Sequence, residues 1–373
     1  MNVPNKRGLG RHSTDATEAR PDAMGEHDAA AAGISSTATA SGRSLGRLNR
    51  RDTLALALGG GLAASLSNRA FAAEAPKEVR LDYAYYSPTS LVLRRFGWLE
   101  EDFRKDGIAV KWVLSAGSNR ALEYLNADSL DIGSTAGLAA LLARANGNPI
   151  RAPYIYSRPE WTALVVRPDA NIRSLADLKG KKVAATKGTD PYLFLLRALH
   201  TVGLKRTDIE HVSLQHADGR AALEQGRVDA WAGLDPHMAA SELGAGSKLL
   251  YRNVGFNTYG FLNVREDFLA KYPREVQRVI LAYERARQWT QANPSEAARI
   301  LSEEAKVSLP VALLQLKLRT DFSNPQPSGE HVKALQAAAP ILVAEQLVKP
   351  GTDLNRTVAE LVDTRFAASL LKA

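Results

Sequence analysis

From residue 79 onward, short apolar runs alternate with longer stretches in which apolar positions recur every three or four residues. Brief apolar runs bounded by turn residues read as strands. A stripe with a period of about 3.6 residues reads as one face of a helix. The pattern predicts strands over 79–85, 109–114, 131–133, 149–156 and 162–167, with helices over 90–105, 119–126 and an Ala/Leu-rich stretch ending at 145. A second series follows the same alternation. It has a short helix at 174–178, a strand at 182–185, and a helix at 191–202 that opens on Pro191, where a missing N–H costs nothing. A strand at 211–214, a helix at 219–225 and strands at 230–233, 248–251 and 259–264 complete it. From Pro273 the pattern turns helical, over 274–292, 295–305 and 329–348.

Alternating strands and helices imply an α/β architecture with largely parallel sheets. Two such units joined by a hinge place a ligand site in the cleft between them. We draw lobe 1 over 74–160, lobe 2 over 161–253, and a return to lobe 1 followed by a helical tail over 254–373. The crossing segments are expected at 153–162 and 253–261. No internal repeat is visible in the sequence.

The hydrophobic pattern upstream is different. Residues 1–42 are rich in Ala, Ser, Thr and Gly without a helical or strand period, and read as disordered. Arg50 and Arg51 then precede an apolar stretch over 54–64, and the segment ends in Ala70-Phe71-Ala72-Ala73. A basic region, a short apolar core and a small-x-small end make an export signal. The paired arginines resemble the twin-arginine type, with Thr53 departing from the phenylalanine common there. An ordinary Sec signal is the alternative. Cleavage is expected after Ala72 or Ala73, which assigns 1–73 to a leader and the mature chain to the periplasm. Met24 is a second possible start.

Composition narrows the chemistry. Of 373 residues, 45% are hydrophobic and 24% charged, as in ordinary globular proteins. With no cysteine, disulfides, thiolate metal sites and a cysteine nucleophile are excluded. The formal charge is +8, but nine basic and six acidic residues lie in the leader, and the remaining basic residues are scattered. No basic stripe with interleaved aromatics points to nucleic acid. The seven histidines form no H-E-x-x-H or paired metal spacing, and no G-x-S-x-G elbow is present. His216 with Asp218 is the nearest approach to a reactive pair, and a turn explains it better. We expect no enzyme, metal or cofactor.

Several blocks, taken in order, resemble one family. They are Phe96-Gly97-Trp98-Leu99-Glu100, then Ala127-Asp128-Ser129-Leu130-Asp131-Ile132-Gly133-Ser134-Thr135. The third is Ser174-Leu175-Ala176-Asp177-Leu178-Lys179-Gly180, and the last is Gly226-Arg227-Val228-Asp229-Ala230-Trp231-Ala232 ahead of Asp235-Pro236. Over residues 79–290 the chain resembles the aliphatic sulfonate, taurine and nitrate group of ABC-transporter substrate-binding proteins. The resemblance implies the type II periplasmic-binding fold, capture of a small organic anion such as a sulfonate, and delivery to an ABC permease by a monomer. Taurine, sulfate esters, nitrate, a thiamine precursor or a ligand-sensing role remain alternatives.

Helix N-termini offer unpaired N–H groups to an anion. Strand-to-helix turns at 116–119, 133–137 and 187–192 supply them, and by resemblance they line the family's pocket. They contribute Ser118, Asn119, Ser134, Thr135, Gly188 and Thr189. Ser118, Ser134 and Thr189 equally suit ordinary helix caps. Tyr86 and Ser87 end the first strand, where the family's first pocket loop lies. Trp161 at the crossing and Trp231 at a second-lobe strand end offer flat faces for an organic tail, or pack the hinge and core. Asp190 and Asp235 read either as caps or, at Asp190, as a partner for an ammonium group on a zwitterionic ligand.

Overall fold

The computed structural model describes residues 75–371. The leader with its paired arginines, and the expected cleavage site, lie outside the described residues.

The chain builds two mixed sheets. The first runs in the order β11-β4-β10-β3-β1-β2. It comprises β1 (Glu78–Tyr83), β2 (Ala109–Leu114), β3 (Ile132–Ala136), β4 (Ile150–Pro159), β10 (Gly260–Arg265) and the short β11 (Thr320–Asp321). The second runs β7-β6-β8-β5-β9. Its strands are β5 (Leu164–Val166), β6 (Lys182–Ala185), β7 (Glu210–Ser213), β8 (Ala230–Ala232) and β9 (Lys248–Tyr251).

The two sheets share one plan. In the first, β1 pairs parallel with β2 and β3, and β10 runs antiparallel between β3 and β4. In the second, β6 pairs parallel with β7 and β8, and β5 runs antiparallel between β8 and β9. The antiparallel strand is in each case the first strand after a chain crossing. The architecture is therefore α/β with mixed sheets, since each crossing inserts one reversed strand into a parallel set.

Helices cover the sheets. In the first lobe these are α1 (Pro88–Phe96), α2 (Trp98–Arg104), α3 (Ser118–Asn126) and α4 (Gly137–Ala145). The second lobe carries α5 (Asp190–Thr201), α6 (His216–Glu224) and α7 (His237–Ala245). The return contributes α8 (Glu266–Lys271), α9 (Pro273–Ala292), α10 (Pro294–Ala305) and α11 (Leu309–Leu313). The tail ends with α12 (Gly329–Ala338), α13 (Pro340–Ala344), α14 (Leu354–Leu361) and α15 (Phe366–Leu370).

Two expected helices are each divided. The one over 90–105 breaks at Gly97, whose φ of 62° caps α1 and starts α2. The left-handed conformation there is one that glycine adopts at no steric cost. The one over 329–348 breaks at Pro340, which cannot continue the ladder of backbone bonds. Segment 174–178 is a single 3-10 turn closed by Ser174 and Asp177. The period of α7 escaped detection because its apolar residues, Met238 to Ala240, are consecutive rather than spaced.

Candidate functional site

The loops that leave β1, β2 and β3 and those that leave β6, β7 and β8 all lie at the carboxyl ends of parallel strands. Ligands of open α/β sheets bind at those ends. Here the two sets of loops meet. Gly117 of the first lobe lies against His216 of the second, and Gly188 lies against the Cβ of Asn119. On one flank, His200 Nε2 of α5 pairs with Glu345 Oε1 beyond α13 at 2.6 Å. On another, Arg319 holds Asp235 at 3.2 Å and also reaches Glu242 of α7.

Several expected site residues are spent on structure. Ser134 is fully buried, and both its N–H and its hydroxyl donate to Asp82. Thr135 Oγ1 donates to the Ala136 carbonyl and accepts from Asn263 Nδ2. Ser118 Oγ accepts from the Ala136 N–H, tying α3 to the end of β3. Thr189 Oγ1 donates to the Thr186 carbonyl. Trp231 sits in the second-lobe core with Val165, Leu223 and Met238, its indole N–H under the first turn of α6. Asp235 Oδ1 accepts from the Ala239 N–H, so it caps α7 while pairing with Arg319.

Asp190 and Trp161 form the hinge. Asp190 Oδ2 accepts from Trp161 Nε1 at 3.1 Å and from the Thr258 N–H at 2.9 Å, and Oδ1 accepts the Thr258 hydroxyl. One carboxylate of the second lobe thus fastens both crossings. Three donors already occupy its acceptor oxygens, and burial raises the Asp190 pKa from its ordinary value despite these bonds. Trp161 meets Tyr86 edge-on, with ring centroids 6.0 Å apart. The Tyr86 hydroxyl donates to the Ser134 carbonyl.

Other polar atoms are buried without a hydrogen-bond partner among the described residues. Ser87 Oγ and Thr89 Oγ1 stand at the N-terminus of α1, Asn119 Oδ1 on α3, and Gln215 Oε1 and His216 Nε2 at the start of α6. Buried polar groups are normally satisfied, so orphans at one seam point to a missing partner. Of these, Ser87 and Asn119 were expected from the sequence. Asn119 also lines a groove of about 420 Å³, together with Leu122, Ala139 and Leu142 and the polar Glu123, Asn148 and Lys187.

Two residues were missed as site residues. His216 is buried, with its pKa pushed down to about 3 by desolvation and by nearby His237. Beside Asp218 it looked like a turn; nothing in the local pattern marks it as buried. Asp82 lies in β1 with its pKa pushed up to about 7 by burial, against the opposing pull of Ser134. A lone acid inside an apolar strand was its signal. Chemically the seam can grip a ligand, but it holds no activated nucleophile at His216. The neighbouring Thr186 hydroxyl donates away, to the Leu214 carbonyl. Among the described residues no cluster of three His, Asp or Glu side chains is placed for a metal ion.

Residues 100–297 match the family model described as NMT1/THI5 like. The chain is 31% identical over 315 residues to an aliphatic sulfonates-binding protein of Escherichia coli strain K12, covering 83% of this chain and 96% of that one. Among solved structures it is similar to the alkanesulfonate-binding protein SsuA from Xanthomonas axonopodis pv. citri bound to MOPS. The TM-score is 0.70 at 27% identity, over 77% of this chain and 98% of that one. The periplasmic aliphatic sulphonate binding protein SsuA from Escherichia coli matches with a TM-score of 0.65 at 29% identity, over 76% and 92% of the two chains.

Proposed function

The chain belongs to the NMT1/THI5-like family, and from that premise we propose that it is the substrate-binding component of an ABC importer with an aliphatic sulfonate as its ligand. The observation that carries this reading is the lobe seam itself. Polar atoms from both lobes are buried there without partners, at the carboxyl ends of parallel strands, and one of them, on Asn119, belongs to a groove with an apolar side for an alkyl chain. The anionic head is assigned to the N-terminus of α1, where the unpaired Ser87 and Thr89 hydroxyls supply donors at the positive end of the helix. The protein binds rather than transforms its ligand, acts as a monomer in the periplasm, and hands the ligand to a permease. The paired-arginine leader supports the export step.

A thermal-shift panel on the mature chain tests the function. A ligand that binds only the folded state raises its stability, by about 2.7 kcal/mol at a hundredfold excess over Kd. Short alkanesulfonates should raise the melting temperature, and sulfate esters, nitrate and pyrimidines should not. A panel in which no sulfonate shifts the transition refutes the reading. N-terminal sequencing of the exported form, expected to begin at Ala73 or Glu74, tests the leader.

A further inference from the structure

Hydrogen-bond accounting fixes the state of His216. The single hydroxyl proton of Thr186 is donated to the Leu214 carbonyl at 2.6 Å. The same hydroxyl oxygen lies 3.3 Å from His216 Nδ1, so it is free only to accept, and Nδ1 carries the proton. A neutral imidazole with a protonated Nδ1 presents a bare lone pair at Nε2. Neutrality follows from burial beside His237, with no carboxylate bonded to the ring among the described residues. His216 Nε2 is thus a buried acceptor with nothing donating to it.

A second orphan acceptor comes from the opposite lobe. A Cβ placed on Gly117 would lie 2.8 Å from Asn119 Oδ1 and 2.9 Å from His216 Nε2. The two acceptors therefore converge over one glycine, and neither has a partner. Asn119 also lines the groove along the seam.

We propose that Asn119 and His216 form a subsite for a neutral hydrogen-bond donor on the ligand, so that the preferred ligand is a hydroxyl-bearing sulfonate rather than a plain alkanesulfonate. This rests on the reading of the protein as a sulfonate-binding component. An ammonium group fits less well. The buried carboxylates Asp82, Asp190 and Asp235 are already committed, to Ser134, to Trp161 and Thr258, and to Arg319, and a desolvated cation needs a charged partner. A hydroxyl needs only the two acceptors that are waiting. A site built to pair a hydroxyl discriminates strongly against the analogue without it, because its own groups are then left unpaired.

Calorimetric titration of the mature protein with 2-hydroxyethanesulfonate, ethanesulfonate and 2-aminoethanesulfonate tests this. The hydroxylated ligand should bind about tenfold tighter than ethanesulfonate, the effect of one or two net hydrogen bonds, and tighter than the amine. The ratio should fall towards one in His216→Phe. It should do the same in Asn119→Ala, which changes a half-buried position and serves if the histidine variant does not fold. A wild-type ratio below threefold, a preference for the amine, or a ratio that survives both substitutions overturns the proposal while sulfonate binding stands. Absence of binding by all three overturns the assigned function and this inference with it.

Discussion

Gly117→Ala should wedge the lobes apart without harming either. The glycine has a φ of 176°, extended backbone that any residue adopts, so the substitution adds no backbone strain. Its effect is steric. The new methyl would sit 2.8 Å from Asn119 Oδ1, 2.9 Å from His216 Nε2 and 3.1 Å from His216 Cδ2, against an ordinary contact of 3.4–4 Å. Asn119 is half-buried and can turn towards the groove. His216 cannot, because it is buried and its Nδ1 is held by Thr186. The seam must widen by about half an ångström, and overpacking of that size costs about 1–3 kcal/mol. The cost falls on the closed form alone. Ligand affinity should therefore drop about 5- to 150-fold, at about 1.4 kcal/mol per decade. The melting temperature of the ligand-free protein should hold, since each lobe keeps its own contacts. Titration with a short alkanesulfonate reads the affinity, and small-angle scattering reads whether the ligand still compacts the particle. An affinity within twofold of wild type refutes the argument. So does a ligand-free protein that melts many degrees lower, because the glycine would then serve the fold and not the closure.

Asp82 makes stability depend on pH. Its folded pKa of about 7 lies above the ordinary 3.8, so its contribution is complete below 3.8 and is lost as pH rises through 7, by roughly 4 kcal/mol in all. Asp82→Asn should flatten that loss, and denaturant unfolding at pH 5 and pH 8 measures it; an equal slope in both proteins counts against burial as the cause. Arg319→Ala strands Asp235 in the interior and should cost about 3–5 kcal/mol, partly recovered by adding Asp235→Asn. A double variant no better than the single one argues against the ion pair. Asp190→Ala leaves the Trp161 and Thr258 N–H groups unpaired, at about 1–3 kcal/mol each, and thermal unfolding should register it.

How much of this was legible in the sequence depends on the range of the interaction. Strands β2 and β9 end where the apolar pattern ends, because local periodicity decides them. The shared plan of the two sheets left no trace in the residues, since topology constrains burial and spares identity. At the site, Ser134 and Thr135 sit at the end of a buried strand, as the pattern implied. What the pattern could not carry is that Asp82, fifty-odd residues earlier in the chain, takes up the Ser134 hydroxyl. Asp190 was ambiguous for the same reason. Its three bonds come from Trp161 and Thr258, both remote in sequence, and they tie it to the two crossings. The tautomer of His216 was illegible because it follows from Thr186, which lies thirty residues earlier and meets the ring only in the folded lobe.

The contacts between lobes divide into two sets, and the division predicts which substitutions act on binding. Any opening pivots at the crossings, near 159–162 and 256–258. Asp190 bonds both crossings. Asp235 donates its N–H to the Trp161 carbonyl, and Glu160 donates to the Arg319 carbonyl. These contacts lie on the axis and persist whether the lobes are open or shut. Gly117 against His216, Gly188 against Asn119, and His200 with Glu345 lie away from it and must part on opening. Substitutions on the axis should lower the melting temperature equally with and without ligand. Those away from it should leave the ligand-free transition in place and shrink the increment that ligand adds. Glu345→Ala is the sharpest case. It removes one partly exposed pair with His200, worth about 0.2–1 kcal/mol. A weaker sulfonate affinity in that variant, with the ligand-free melting temperature unchanged, requires that the tail helices help hold the lobes shut. An affinity equal to wild type shows that closure draws on the central seam alone.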